Sequence, residues 1–173
     1  MHRRGLKVEK TIKQRRSIRS FTGQSVDEGA IDAILEAGRW APSGLNNQPW
    51  RFAVITDSGI KDRLSTLTKY GAIIQSAFAV IAVFLDTKAS YDRTKDLQAI
   101  GACIENMLLE ITSLGLGGVW LGEILKSAEE VKELTGAPEE LEFMAAIALG
   151  HPDGTQPKEP SRKSIPELVF FRK

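Results

Sequence analysis

Apolar and polar positions along this chain fall into blocks that predict helices and strands in turn. Val8 and Ile12, four apart, predict a short helix ending near Gln14. Ser25 and Glu28 have capping-box spacing and open a second helix, with Ile31, Ile34 and Leu35 as its buried stripe. Arg51 to Thr56 predicts a short strand, and Ile60, Leu64 and Leu67 space a helix ending before Gly71. Ala77 to Leu85 is apolar without alternation, which suits a strand covered on both faces. Asp86 to Lys95 is polar and predicts a loop carrying Tyr91. From Leu97 to Leu114 apolar residues recur every three or four positions. Ala99, Ala102, Cys103, Met107 and Leu109 widen that stripe until little polar surface is left. Such a helix is buried in its own domain or against a partner. A domain this small has little room to enclose it, so part of its surface is expected at a subunit interface. Gly115 stops it. Gly115 to Ile124 reads as a glycine-punctuated strand end. Ser127 and Glu130 repeat capping-box spacing before Val131 and Leu134, and Phe143 to Leu149 is another strand. The tail, His151 to Lys173, holds four of the seven prolines and reads as extended, with Leu168 to Phe171 as a short strand.

One stretch breaks these periods. Between the second helix and the first strand, Pro42 and Pro49 fix φ and remove two backbone donors, so neither helix nor sheet pairing runs through. Ser43, Gly44, Asn46, Asn47 and Gln48 offer hydroxyl, amide and open backbone groups able to meet a planar heteroaromatic edge. Trp40 and Trp50 bracket the loop as candidate anchors. On its residues alone the loop is either a connector or a binding loop.

A chain of 173 residues predicts one domain with a real core. Its net charge of +1 conceals an asymmetry, because Met1 to Arg19 holds eight Lys/Arg and one acid. Within that arm, Arg15, Arg16, Ser17 and Arg19 form a good phosphate receiver: guanidinium forks with a neutral hydroxyl donor. The alternative is a basic helix end. Nucleic-acid binding is the weakest reading, since the arm is short and lacks interleaved aromatics for stacking. Cys103 stands alone, which excludes an intramolecular disulfide and a Cys-based metal site. It reads as a small core residue, and no metal ligands are assigned. The longest apolar run is far too short to cross a bilayer, and no apolar stretch follows the basic start. A cytoplasmic protein is expected.

Arg15 to Arg19, Ala41 to Phe52 and Gly115 to Gly122, with Arg162, Lys163 and Pro166 in support, together resemble the nitroreductase family of FMN-dependent oxidoreductases. The match in order and spacing runs from about Thr11 to Val169. The resemblance implies an α+β, nitroreductase-like fold: a mainly antiparallel central sheet wrapped by helices, in an interlocked homodimer. A single domain over 1–173, with an extended tail from about 151, would carry it. FMN would lie at the dimer interface. Arg16 and Ser17 match positions near its phosphate, and Arg15 and Arg19 match positions reaching the ribityl chain and the N1/O2 edge. Pro42, Ser43, Gly44, Asn46 and Gln48 of the other subunit would line the isoalloxazine. Leu121, Gly122 and Glu123 match the segment whose backbone N–H faces flavin N5, and Arg162 and Lys163 would close the phosphate site. No catalytic side chain is assigned, since the chemistry rests with FMN N5. NAD(P)H would be the reductant, with nitroaromatics, quinones or similar planar electrophiles as acceptors in a ping-pong cycle. A reductive dehalogenase, another flavin-chemistry branch and a non-catalytic flavin binder are the alternatives. Thr87 to Leu97 leaves little room for a helical lid, so an open site is expected.

Overall fold

The computed structural model describes residues 8–155 and 160–173. In chain order the elements are α1 (Val8–Gln14), α2 (Glu28–Arg39), β1 (Trp50–Ile55), α3 (Ser58–Thr66), α4 (Gly71–Ser76), β2 (Ala79–Asp86), α5 (Arg93–Ser113), β3 (Gly117–Leu121), α6 (Ala128–Thr135), β4 (Leu141–Gly150) and α7 (Ile165–Leu168). The four strands form one antiparallel sheet in the order β1-β2-β4-β3. The expected α+β class and antiparallel sheet are therefore what the chain forms.

Strand geometry divides the core into two. Residues alternate between faces along a strand. Ala79, Ile81, Val83 and Leu85 of β2 point to one face with Ala145, Ile147 and Leu149 of β4, where α2 and α5 cover them. Val80, Ala82 and Phe84 point to the other face with Ala146 and Ala148, under residues of α3, α4 and α6. A bulge pairs Val83 with Ala145 but Phe84 with Phe143, skipping Met144. The extra residue moves Phe143 across the sheet, where its ring meets Phe84 edge-on at 5.6 Å.

Helix α5 is buried within its own chain along one face, while Leu97 and Leu114 stay exposed and Leu109 is half-buried. Ala99, Ile100, Cys103, Ile104, Met107, Leu108 and Ile111 are all buried, because α2 and the sheet face cover them together. Gly38 of α2 makes that approach close, since a Cβ there would come within 2.8 Å of Met107 Cγ. The helix ends in a Schellman motif: Gly115 sits at φ 73°, its N–H donates to Thr112, and Leu116 N–H donates to Ile111 O at 3.0 Å.

Several local expectations shift. Helix α2 starts at Glu28 with Asp27 as its cap, accepting from Gly29 N, so the Ser25–Glu28 box does not form. Ser127 does not cap α6; its hydroxyl donates to Leu67 O, and a 3-10 turn, Glu123–Ser127, precedes the helix. The strand expected over Leu168 to Phe171 does not form; the tail holds instead a helical turn, α7, that ends at Leu168. Pro166 occupies its first turn, and Ser164 with Glu167 supplies a capping box. His151 to Asp153 is tied back to the body through Phe21–Pro152 and Thr22–His151 pairing. No helix among the described residues is long and apolar enough to cross a membrane.

The outer edge of β3 is covered by the Arg15–Arg19 segment, through a parallel bridge between Ser17 and Gly118 and the bond from Ile18 N–H to Gly118 O. A Cβ on Gly117 would meet Ile18 Cβ and Cγ2 at 2.8 Å. Gly117→Ala should therefore prise this segment from the sheet and cost about 1–3 kcal/mol. Faster hydrogen exchange at the Ile18 amide and a lower urea midpoint would show it; unchanged exchange would refute it.

Candidate functional site

Arg15 to Ile18 are half-buried along the β3 edge, while Arg19 is exposed. Their charges are poorly compensated. Arg15 Nε lies 3.7 Å from Glu105, a loose pair. Arg16 donates to the carbonyls of Lys13 and Arg15, and Arg19 to the carbonyl of Ser17. Arg16 thus reaches the C-terminal end of α1, as a basic helix end would. Among the described residues, neither Arg16 nor Arg19 pairs with a carboxylate. Three guanidiniums sharing one loose acid make a donor set suited to an anion.

At the far end of β3, Leu121 is buried and Gly122 is exposed. The N–H groups of Gly122 and Glu123 have no acceptor among the described residues. The Glu123 side chain turns away from this edge. It accepts from Thr68 Oγ1 at 2.6 Å, Lys69 N at 3.2 Å and Lys126 Nζ at 2.7 Å. Bonds from Lys126 and Thr68 pull its pKa from 4.5 to about 2. Thr68 and Lys69, in the α3–α4 turn, thereby become neighbours of the segment. The sequence carried no signal for this link, which spans 55 residues.

The loop Pro42 to Gln48 is held differently. Gly44–Asn46 forms a 3-10 turn in which Leu45 and Asn46 take positive φ, at 51° and 55°, and Gln48, beyond right-handed Asn47, does so at 47°. Left-handed conformations at residues such as Leu45 and Gln48 cost about 1–3 kcal/mol each. Ser43 Oγ accepts from Gln48 N at 3.0 Å and closes the turn. Tyr91 is exposed in the segment before α5, and its ring lies against Gly44, where an added Cβ would overlap its hydroxyl. Trp50 is in the core, but Trp40 is 74% exposed, so only one of the bracketing indoles is an anchor. Trp40 Nε1 donates to Glu36, whose carboxylate also receives Arg39. Bonds from Arg39 and Trp40 draw the Glu36 pKa down to about 2.

The loop is tied down by Asp96, which sequence reasoning passed over. This side chain is fully buried. Its Oδ2 accepts from Ser90 Oγ at 2.6 Å and from the amides of Tyr91 and Asp92, and its Oδ1 accepts from Asn47 Nδ2 at 2.7 Å. Burial opposes its ionisation, but the bonds from Ser90, Asn47, Asp92 and Tyr91 outweigh that and hold its pKa below the ordinary value. Asn47 also donates to Ala89 O at 3.0 Å, while its own Oδ1 is buried without a partner among the described residues. Such an orphan costs about 1–3 kcal/mol.

One chain does not bring all the expected residues together. Asp96, which holds the loop, and Glu105, which Arg15 approaches, are nine residues apart on α5. At 3.6 residues per turn they face opposite sides of the helix, about 13 Å apart along its axis. Arg162 and Lys163 lie in an exposed tail, and no hydrogen bond or ion pair among the described residues joins them to Arg15, Arg16, Ser17 or Arg19.

Comparison with known proteins gives this geometry a context. A family model described as the nitroreductase family matches residues 12–77 and 65–151. A relative from Archaeoglobus fulgidus, provisionally named an NADH dehydrogenase/NAD(P)H nitroreductase, is 36% identical over 83% of this chain and 84% of its own length. The NADPH-flavin oxidoreductase of Vibrio harveyi is 33% identical over 83% of this chain and 65% of its own. A protein from Desulfovibrio desulfuricans crystallised in complex with FMN superposes with a TM-score of 0.90, at 47% identity, over 97% of this chain and 98% of its own.

The Glu123 contacts carry a pH signature. A carboxylate with a depressed pKa contributes stability that is complete above its ordinary value and declines as it protonates in the folded state. The Glu123–Thr68 clamp should therefore be intact above about pH 4.5 and release as the pH falls towards about 2. A side-chain carboxyl titration followed by NMR should place the Glu123 midpoint near the lower value; a midpoint near 4.5 would show that the clamp is open in solution.

Proposed function

Because this chain belongs to the nitroreductase family, we propose that it is an FMN-dependent oxidoreductase that uses NAD(P)H to reduce nitroaromatics, quinones or similar planar electrophiles. The observation that carries this reading is the layout of β3. A cationic segment poor in carboxylate partners is bound along the strand at Gly118, and unpaired amides lie four residues on, at Gly122. Four residues of strand span about 13 Å. That layout suits a ligand with a phosphate at one end and a polar ring edge at the other. The nitroreductase relatives and the FMN-bound neighbour support the same cofactor.

When bound, FMN supplies the two-electron redox chemistry. The chain binds and orients. Arg16 and Ser17 receive the phosphate, while Arg15 and Arg19 favour negative charge along the ribityl chain and pyrimidine edge. The N–H groups at Gly122 and Glu123 donate to the ring edge, with Leu121 behind them. Pro42, Ser43, Gly44, Asn46 and Gln48 line the ring from the second subunit, and Arg162 and Lys163 close the phosphate site. The reading takes 1–173 as one domain in a homodimer. Two features support a second copy: the loop and the cationic segment lie on opposite sides of α5, and the tail leaves Ile165, Leu168, Phe170 and Phe171 exposed.

The test is FMN binding. Purified protein should be yellow and release FMN, not FAD, on acid treatment. Arg16→Glu should weaken FMN binding at least about tenfold, since a charge-assisted bond worth ~1.5–3 kcal/mol is replaced by repulsion. Colourless protein that takes up no added FMN would overturn the reading. Unchanged affinity in the variant would leave Arg16 as a helix end only.

Only Thr87 to Asp92 lie between β2 and α5, so among the described residues no helical insert stands there. Reductant and acceptor would then occupy one place in turn. Steady-state rates at several fixed NAD(P)H concentrations should give parallel double-reciprocal lines; intersecting lines would refute the shared place, and activity confined to a halogenated phenol would favour dehalogenation.

A further inference from the structure

We propose that Asp96 is the positioning residue of the ring-lining loop, holding Asn47 and Ser90 so that the turn with left-handed Leu45, Asn46 and Gln48 keeps the shape that receives the flavin and its substrates. The inference rests on the flavin reading above.

Both acceptors of Asn47 Nδ2, Ala89 O and Asp96 Oδ1, are fixed groups. A reversed amide would set its carbonyl oxygen against those two acceptors, so only one orientation is possible. The side chain of Asn47 therefore points inward and anchors, while Asn46 and Gln48 are exposed and Ser43 Oγ holds the Gln48 amide. A mere connector between α2 and β1 needs no such arrangement. Leu45 takes a left-handed conformation yet leaves its side chain 86% exposed, so packing does not compensate the strain. Together with the orphaned Asn47 Oδ1, unfavourable features are concentrated in one turn and held there by one carboxylate. Strain kept in this way marks a shape under functional constraint.

Asp96 is well placed for the task. It occupies the first turn of α5, a helix of 21 residues whose buried face runs on through Ile100, Cys103 and Ile104. Its second oxygen holds Ser90, Tyr91 and Asp92, and Tyr91 in turn lies against Gly44. One rigid element thus sets two walls, the 43–48 turn and the 90–92 segment, relative to each other.

The test compares wild type with Asp96→Asn and Asn47→Ala. The first is isosteric and sets an amide NH2 against the NH2 of Asn47. The second removes the anchor from a half-exposed loop without opening the core. FMN is titrated by fluorescence quenching and by visible circular dichroism, at a temperature where far-ultraviolet spectra show all three proteins folded. Both variants should bind FMN at least tenfold more weakly, with altered visible dichroism of the bound flavin. Wild-type affinity and dichroism in both variants, even with a lowered melting temperature, would overturn the proposal and leave Asp96 a fold-holding residue. Loss confined to Asp96→Asn would overturn it too, since Asn47 would then not be the route. A wild-type protein that binds no FMN would instead overturn the flavin reading itself, and this proposal with it.

Discussion

Complete burial of both faces of β2 constrains everything else in this molecule. All eight of its residues, Ala79 to Asp86, are withdrawn from water, as are the last six of β4 beside it. Neither strand has a side to show to solvent, so helices must cover the sheet twice: α2 and α5 on one face, α3, α4 and α6 on the other. With both faces closed, polar chemistry is confined to the margins. It sits on the outer edge of β3, in the turn after β3, and in the loops that enter β1 and α5. Every site residue suggested by the sequence lies in one of these margins or in the tail.

The elements that were legible in the sequence are those whose residues interact with near neighbours. The stripe of α2, the apolar run of β2 and the recurrence along α5 were all visible, because burial imposes a period on each. The stop at Gly115 was visible because a left-handed cap favours glycine. The errors have physical causes as well. At α2 a carboxylate nearer the helix, Asp27, displaced Ser25 as cap. Helix α4 has only six residues, too few to show a period. In the tail, β-prone residues from Leu168 to Phe171 suggest a strand, but they stand exposed beside no strand of the sheet, and the helix start at Ser164, Pro166 and Glu167 shapes only the turn that ends at Leu168. Trp40 was counted as an anchor because it is apolar; Glu36 and Arg39 hold it at the surface instead.

The candidate site divides along the same line. The arginines, the proline-flanked loop and the glycine-rich strand were legible since each needs unusual residue types in a short stretch. Asp96 was not. It looks like one more acid in the first turn of a helix, and its role arises from Asn47, 49 positions earlier in the chain. Likewise nothing near Glu123 announces Thr68. Contacts over such distances exist only once the fold has formed, so a single sequence does not display them.

The placement of sulfur bears on endurance. Cys103 is wholly buried under Gly38, and burial pushes its thiol pKa up to about 12. Met107 beside it is also wholly buried, and Met144 is half-buried. Oxidants attack thiolates and accessible thioethers first. Here Cys103 is a neutral thiol with no surface open to solvent-borne oxidants. Cys103 and Met107 are thereby withdrawn from oxidation, which leaves half-buried Met144 as the first sulfur to be attacked among the described residues.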